Sequence, residues 1–333
     1  LGVLEQYLNW PRQVRDSLSK WGTWSVRGDF THVAVFGMGG SGVVGDYLAL
    51  LSLESGKYPV IVVKSHIVPS YVGEKTLAIV VSYSGNTIET IMAFENLLKS
   101  GATIAVVSSG GVLKTMAQER GVTYVEVPKG LAPRASLPSM LYSTLGLLDS
   151  SGYTLVSKSA AENSAEFLEE KVSEAVEAAR DLSKWLYEEA VRAERLPVVV
   201  THSPLEAIAI RFKNELNENS KIVVKVDIAP ECMHNDVVGY EAPTTRRLAV
   251  LEVVDPSNEV GTKLVDFMRS IYSEHDAAFY RLAAAGRNVL EKAMYLSLVA
   301  GLASVMLAEM RGLDPAATKS IAMYKKKAAE IFS

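Results

Sequence analysis

Residues 82–90 read Ser-Tyr-Ser-Gly-Asn-Thr-Ile-Glu-Thr, and they follow an apolar run, Leu77–Val81. A helical pattern takes over from about Ile88 to Leu98. The hydroxyls of Ser82, Ser84 and Thr87 therefore crowd into a strand-to-helix turn, with Gly85 free to adopt a left-handed backbone. The first N–H groups of a helix have no partner within it, and the helix dipole adds positive potential there. Hydroxyls gathered over such a start make a cradle for phosphate. A single Ser or Thr would need no more explanation than a helix cap. Three within six residues, beside a glycine, favour an anion site.

Further candidates are spread along the chain. Gly37, Gly39 and Gly42 match G-x-G-x-x-G at the end of the first strand, which raises a dinucleotide site. Such a site wants an acidic residue at the end of the second strand, where this chain has Lys64 and Ser65. Lys64 still suits a ribose phosphate, so an NADP-dependent oxidoreductase stays a rival. The other reading has both loops share one sugar phosphate, the 82–87 loop holding the phosphate and the 37–42 loop lying along the carbon chain. Arg134, in Pro-Arg-Ala-Ser (133–136), is either a solvated loop arginine or a guanidinium facing an oxyanion.

Asn214-Glu215-Leu216-Asn217-Glu218-Asn219-Ser220-Lys221 ends a helix whose apolar stripe is Leu205, Ile208, Ala209, Phe212 and Leu216. Asn and Ser are poor helix formers, so the helix is expected to fray near Asn217 and project Glu218 from a loop. Glu215 nearby would raise the Glu218 pKa by like-charge repulsion, as suits a general base for a proton on carbon. A helical wheel alone favours Glu215 as the inward carboxylate, and periodicity leaves the choice open. His234, in His-Asn-Asp (234–236), is a general acid, a metal ligand or a bystander, and no second ligand is spaced to make it a metal site. Thr318 and Lys325 stand seven apart, two turns along one helix face, while Lys325–Lys327 otherwise reads as a solvated run.

These residues need a scaffold. The nearly all-apolar runs Val33–Phe36, Val60–Val63, Leu77–Val81, Thr103–Val107 and Thr123–Val127 alternate with helical patterns near 41–51, 87–99, 112–119 and 136–149. Strands so uniformly apolar are covered on both faces, the rhythm of a doubly wound parallel sheet. Residues 150–162 look like a linker, and a helical region follows over 162–194. A second alternation runs through Val198–Thr201, a helix from Leu205, Ile222–Val226 and Leu248–Val253. It closes in helices near 259–273, 277–311 and 314–331. The reading is α/β with two domains, 1–152 and 153–333.

Composition sets limits on partners. Of 333 residues, 48% are apolar, enough for two cores, and the net charge of −4 is well mixed, so no basic field exists for nucleic acid. Cys232 is the one cysteine, which excludes an internal disulfide framework and fits a reducing, cytoplasmic setting. The first twenty residues are mixed and amphipathic, unlike a signal peptide. The longest apolar stretch, Ala293–Ala308, is shorter than a membrane span and reads as a helix buried between domains or subunits.

Taken together, Gly-Met-Gly-Gly-Ser-Gly (37–42), Ser-Tyr-Ser-Gly-Asn-Thr-Ile-Glu-Thr (82–90), Pro-Arg-Ala (133–135), Asn-Glu-Asn-Ser-Lys (217–221), His-Asn-Asp (234–236) and the Thr318/Lys325 pair resemble the bifunctional phosphoglucose/phosphomannose isomerases of the sugar isomerase (SIS) superfamily. The 82–87 loop alone indicates only a SIS domain, and the ordered set is more specific. The resemblance implies two SIS-type domains, each a parallel β-sheet flanked by helices in three αβα layers, with the site between them and across the seam of a homodimer. It implies hexose 6-phosphate substrates and no cofactor or metal. Ser82, Ser84 and Thr87, with backbone near Gly40 and Ser41, would hold the 6-phosphate. Glu218 would shuttle a proton between C1 and C2 through a cis-enediol, and Arg134 would steady the enediolate. His234, from the neighbouring subunit, and Lys325 would assist ring opening. Thr318 would leave room for rotation about C2–C3 and so for mannose as well as glucose 6-phosphate. The rivals are a SIS sensor without chemistry, the NADP enzyme, and a glucosamine-6-phosphate or arabinose-5-phosphate isomerase.

Overall fold

A computed structural model describes residues 2–332. The chain forms two compact units, one taking residues up to Glu166 together with the segment from Thr318 onward, the other Phe167–Ala317. This division differs from a boundary at 152/153. The polar stretch after residue 150 does not act as a free linker: Tyr153 Oη donates to Gly28 O at 3.1 Å and accepts from Phe30 N at 2.6 Å. Tyr142 and Ser164 share a hydrogen bond of 2.7 Å, and Ala161, Ser164 and Ala165 are buried.

The first unit opens with helices α1 (Val3–Leu8) and α2 (Trp10–Leu18). Strand β1 (His32–Gly37) leads into α3 (Gly39–Ser55), then β2 (Val60–Val63), β3 (Thr76–Val81) and α4 (Ile88–Leu97). Strand β4 (Thr103–Ser108), α5 (Gly111–Glu119), β5 (Thr123–Glu126), a 3₁₀ turn over Pro133–Ser136 and α6 (Leu137–Ser150) complete it. The sheet order is β2-β1-β3-β4-β5, all parallel. Ala34, Phe36, Ala78, Val80 and Val106 face Phe94 and Leu97 of α4 and Leu113 of α5. The alternate residues of these strands are buried too, and α3 and α6 pack against the sheet. Burial on both faces is why the strands lack alternation.

Helix α7 (Lys158–Leu186) carries the chain to the second unit and ends in a π turn over Tyr187–Arg192. Then come β6 (Leu196–His202), α8 (Glu206–Ser220), β7 (Lys225–Ala229), β8 (Arg247–Val254), α9 (Glu259–Tyr272), β9 (Asp276–Ala283) and α10 (Val289–Met310). This sheet is also parallel, in the order β7-β6-β8-β9. The sequence pattern places residues 277–283 inside a helix near 277–311, whereas the structure has them in β9. Their Ala-rich composition favours helix, but pairing along all of β8 prevails, and Arg281 reaches the buried Glu252 at 2.8 Å. The second strand of this unit starts at Lys225 rather than Ile222, because α8 runs on to Ser220. Helix α10 is apolar and long enough to cross a membrane, yet 83% of its most apolar window is buried, and it packs on α8 as a core helix of its own unit.

The last helix, α11 (Lys319–Ile331), groups with the first unit although it follows the second in sequence. It starts later than the 314 expected, with Thr318 at its N-cap rather than inside the helix two turns before Lys325. Ala328 is its one buried side chain among the described residues. The Tyr324 hydroxyl donates to the Glu89 carboxylate of α4, and the Phe332 ring meets His66 with centroids 5.1 Å apart. Losing a hydrogen bond to a charged acceptor costs about 1.5–3 kcal/mol, and partial exposure of Tyr324 puts this one at the low end. In Tyr324→Phe, tryptic cleavage after Lys325, Lys326 and Lys327 should therefore quicken by about tenfold, measured on the native protein. An unchanged rate would mean that the Glu89 contact does not hold the helix.

Candidate active site

In the first unit, chain connections leave β1 toward β2 on one side and β3 toward β4 and β5 on the other. Such a reversal opens a crevice beyond the strands' carboxyl ends, where ligands bind in open parallel sheets. Gly37 and Val81 are the last paired residues of β1 and β3 and lie side by side. The 37–42 and 82–87 loops are thus neighbours by sheet register, as the sequence reading required.

A hydrogen bond joins the two loops, and others brace the second from within. Tyr83 N donates to Ser41 Oγ at 2.9 Å, so the Ser41 hydroxyl braces the second loop against the first. Ser82 Oγ donates to Thr87 Oγ1 at 3.2 Å, and Ser84 Oγ accepts from Asn86 N at 3.3 Å. Thr87 is the N-cap of α4, and among the described residues no side chain caps that helix start or the start of α3 at Met38. Ser84 and Thr87 are half-buried, open enough to meet a ligand. Gly85 has φ +67°, and a Cβ there would lie 1.8 Å from Gly110 O. A Cβ on Gly40 would meet Pro133 O and Arg134 N at 3.0 Å, so the first loop also touches the turn that carries Arg134.

The Arg134 turn is supported from two sides that the sequence reading did not assign. Ala135 O accepts from Trp10 Nε1 and Gln13 Nε2, each at 2.9 Å, and Ala132 N donates to Gln6 Oε1 at 2.7 Å. Tyr83 reaches the segment before the turn, donating to Pro128 O at 2.9 Å and accepting from Leu131 N at 2.8 Å. Burial raises the Tyr83 pKa, which keeps its hydroxyl a donor. Arg134 is only 5% exposed. A buried tryptophan and glutamines aimed at one short turn are signals a sequence carries without showing their target.

Lys64 bears on the dinucleotide rival. Its ammonium is 2.6 Å from Asp46 Oδ2 of α3, an ion pair already made at the end of β2. Burial raises the Asp46 pKa even though Lys64 opposes the shift. Lys325 is exposed, as are Lys326 and Lys327, so none of the three points inward within the chain. Thr318 is half-buried.

In the second unit, the expected stripe of α8 is buried along its whole length. The helix does not fray near Asn217. Asn219 Nδ2 donates to Glu215 Oε2 and to Ser304 Oγ, each at 2.9 Å, and Ser220 Oγ donates to Ser304 O at 2.8 Å. These partners on α10 outweigh the low helix propensity of Asn and Ser. Glu218 therefore sits half-buried on the last helical turn, not on a loop. Glu215 is 1% exposed and ion-paired with the equally buried Arg211, so its charge is balanced on its own helix. Glu215 is thus an ion-pair partner buried within its unit rather than a solvent-facing carboxylate.

His234 is exposed, in a 3₁₀ turn after β7. Beneath that turn lies a buried polar cluster. Asp227 accepts from Tyr240 Oη at 3.0 Å and Tyr272 Oη at 2.8 Å, and pairs with Lys225. Lys225 Nζ also lies 3.4 Å from Asp236, two residues beyond His234. Burial pushes the Lys225 ammonium down, but Asp227 beside it lifts it further, so the net shift is upward.

Comparison with known proteins agrees with this architecture. The SIS domain family model matches residues 29–145, and the bacterial phospho-glucose isomerase C-terminal SIS domain model matches residues 175–327. Both halves are SIS domains of an α/β protein. A bifunctional phosphoglucose/phosphomannose isomerase of Aquifex aeolicus is 35% identical, the match covering 87% of this chain and 88% of that one. One of Aeropyrum pernix is 35% identical over 97% of each. The chain belongs to the bifunctional phosphoglucose/phosphomannose isomerase family. A solved structure of a hypothetical protein from Thermus thermophilus shares the fold, with a TM-score of 0.71, 16% identity, and coverage of 100% of this chain and 91% of that one.

Two outcomes follow from this geometry. Gly85→Ala adds about 1–2 kcal/mol of left-handed strain and drives a methyl into Gly110 O. Melting temperature and affinity for a sugar phosphate should both fall, by calorimetry and titration, and unchanged affinity would remove the loop from the binding site. The cluster under His234 sets an alkaline limit. Burial, with Asp227 and Asp236, pushes the Cys232 thiol up to about 12, and burial with Asp227 pushes Tyr240 up to about 12. Burial and Asp227 raise Tyr272 as well. Each folded pKa exceeds the ordinary 9.0 or 10.0, so the unfolded chain loses these protons first. The Cys232 and Tyr240 contributions are complete below about pH 9 and are lost as pH rises toward about 12. Melting temperature should stay level to about pH 8.5 and fall above it, and Cys232→Ala should delay the fall toward about pH 10.

Proposed function

We propose that this chain is an aldose–ketose isomerase that interconverts glucose 6-phosphate and mannose 6-phosphate with fructose 6-phosphate. Membership of the family supports the substrate class. The observation that carries the reading is the pair of knitted loops at the β1/β3 reversal, where the hydroxyl-rich 82–87 loop enters α4 and, among the described residues, no side chain caps that helix start. In this reading Ser82, Ser84 and Thr87, with the backbone at Gly40 and Ser41, hold the phosphate.

The chemistry needs no redox partner, because hydrogen moves within one molecule. The Glu218 carboxylate takes the proton from C2 of the open-chain aldose. The C–H electrons form the C1–C2 double bond of a cis-enediol as O1 is protonated. Glu218 returns the proton to C1 while O2 loses its own, leaving the ketose. Arg134 stabilises the charge on the enediolate oxygens. His234 and Lys325 assist ring opening, and Thr318 leaves room for rotation about C2–C3, so that either face of C2 can be reprotonated. The exposure of His234 supports its supply to the partner's site in a homodimer. The closed Arg211–Glu215 pair favours Glu218 over Glu215 as the base. A cytoplasmic setting fits this chemistry.

Incubation with fructose 6-phosphate, followed by chromatographic separation, should yield both glucose and mannose esters. Glu218→Gln should lower kcat by about a hundred- to ten-thousandfold while the sugar phosphate still binds. One aldose product would narrow the reading, binding without any product would return it to a sensor, and full turnover in Glu218→Gln would transfer the base role elsewhere.

A further inference from the structure

Helix α8 ends without a glycine. The residue that turns left-handed after its last turn is Lys221, with φ 58° and ψ 41°. Among the described non-glycine residues, Glu194 is the one other with positive φ. Glycine is the usual occupant of this position, because a Cβ is strained there. A lysine persists in it only where its surroundings hold it.

The side chain supplies that hold. Lys221 Nζ donates to Glu218 O at 2.6 Å, to Asn219 O at 3.2 Å and to Asp314 O at 3.2 Å. An ammonium has three N–H donors, and here each has a carbonyl acceptor. Two of those carbonyls belong to the last turn of the helix, where no intrahelical donor follows, and a cation there also suits the helix dipole. The Ser220 carbonyl is taken by Arg311. The third lysine bond ties this turn to the segment after α10. Glycine would relieve the backbone but could make none of these bonds.

We infer that Lys221 is a positioning residue for Glu218. It clamps the carbonyl of Glu218 itself and the following peptide, so the carboxylate leaves the helix from a fixed backbone. This rests on the reading of Glu218 as the base. It assigns Lys221 no contact with substrate.

The test separates a clamp from an ordinary helix cap. Lys221→Gly deletes the donors and removes the left-handed strain, whereas Lys221→Met deletes the donors and keeps the strain. Both variants should lose about ten- to a hundredfold in kcat, the cost of a misplaced catalytic group, with KM changed by less than about threefold. Melting temperature should fall in Lys221→Met and stay level or rise in Lys221→Gly. Wild-type kcat in Lys221→Gly, or a kcat loss that tracks melting temperature across the two, would overturn the inference. Glu218→Gln is assayed in parallel. If it keeps full turnover, the base assignment fails and takes the inference with it. If it is inactive while Lys221→Gly is fully active, the inference alone fails.

Discussion

One hydrogen bond, from Tyr83 N–H to Ser41 Oγ, holds the two glycine-bearing loops of the first unit together. Each loop follows a strand, and the strands are adjacent, so sheet register brings the loops close. Register alone does not fix their backbones. A serine hydroxyl at one helix start, accepting from a loop amide before the next, aligns two helix N-termini on one crevice. The Tyr83 side chain extends the same brace toward the Arg134 turn through Pro128 and Leu131. Tyr83, between Ser82 and Ser84, thus does the work of a strut.

The second unit handles its charges differently. Its buried carboxylates are committed: Glu215 to Arg211, Asp227 to Lys225 and two tyrosines, Glu252 to Arg269 and Arg281, and Glu291 to Arg287. Breaking such a pair from one side leaves a buried charge unpaired, at a cost of about 3–5 kcal/mol. Glu218, by contrast, is half-buried and His234 exposed. Proximity in sequence, with Glu215 and Glu218 three positions apart, conceals a division between a buried architectural carboxylate and a half-buried one.

Much of this was legible in the sequence, for physical reasons. Apolar runs bounded by turn residues gave the strands of the first unit, because strands covered on both faces cannot be polar. The 82–87 hydroxyls and the 37–42 glycines were found because strand-to-helix turns constrain residue type locally. What escaped depended on partners distant in sequence. Strand β9 reads as helix until β8 is there to pair with it. The end of α8 reads as frayed until Ser304 supplies its two acceptor oxygens. The Tyr324–Glu89 bond spans 235 residues and leaves no local pattern. The polar stretch after residue 150 looks like a linker because its anchors, Gly28, Phe30 and Tyr142, lie elsewhere.

The Trp10 and Gln13 bonds to Ala135 O have a dynamic corollary. Local opening takes less free energy than global unfolding and proceeds in contiguous cooperative units. Here the leading helices are not spectators to such excursions, since the guanidinium-bearing turn borrows its rigidity from them. Amide exchange in that turn would then report on the opening of helices far upstream in the chain, and the two regions would breathe as a single cooperative patch.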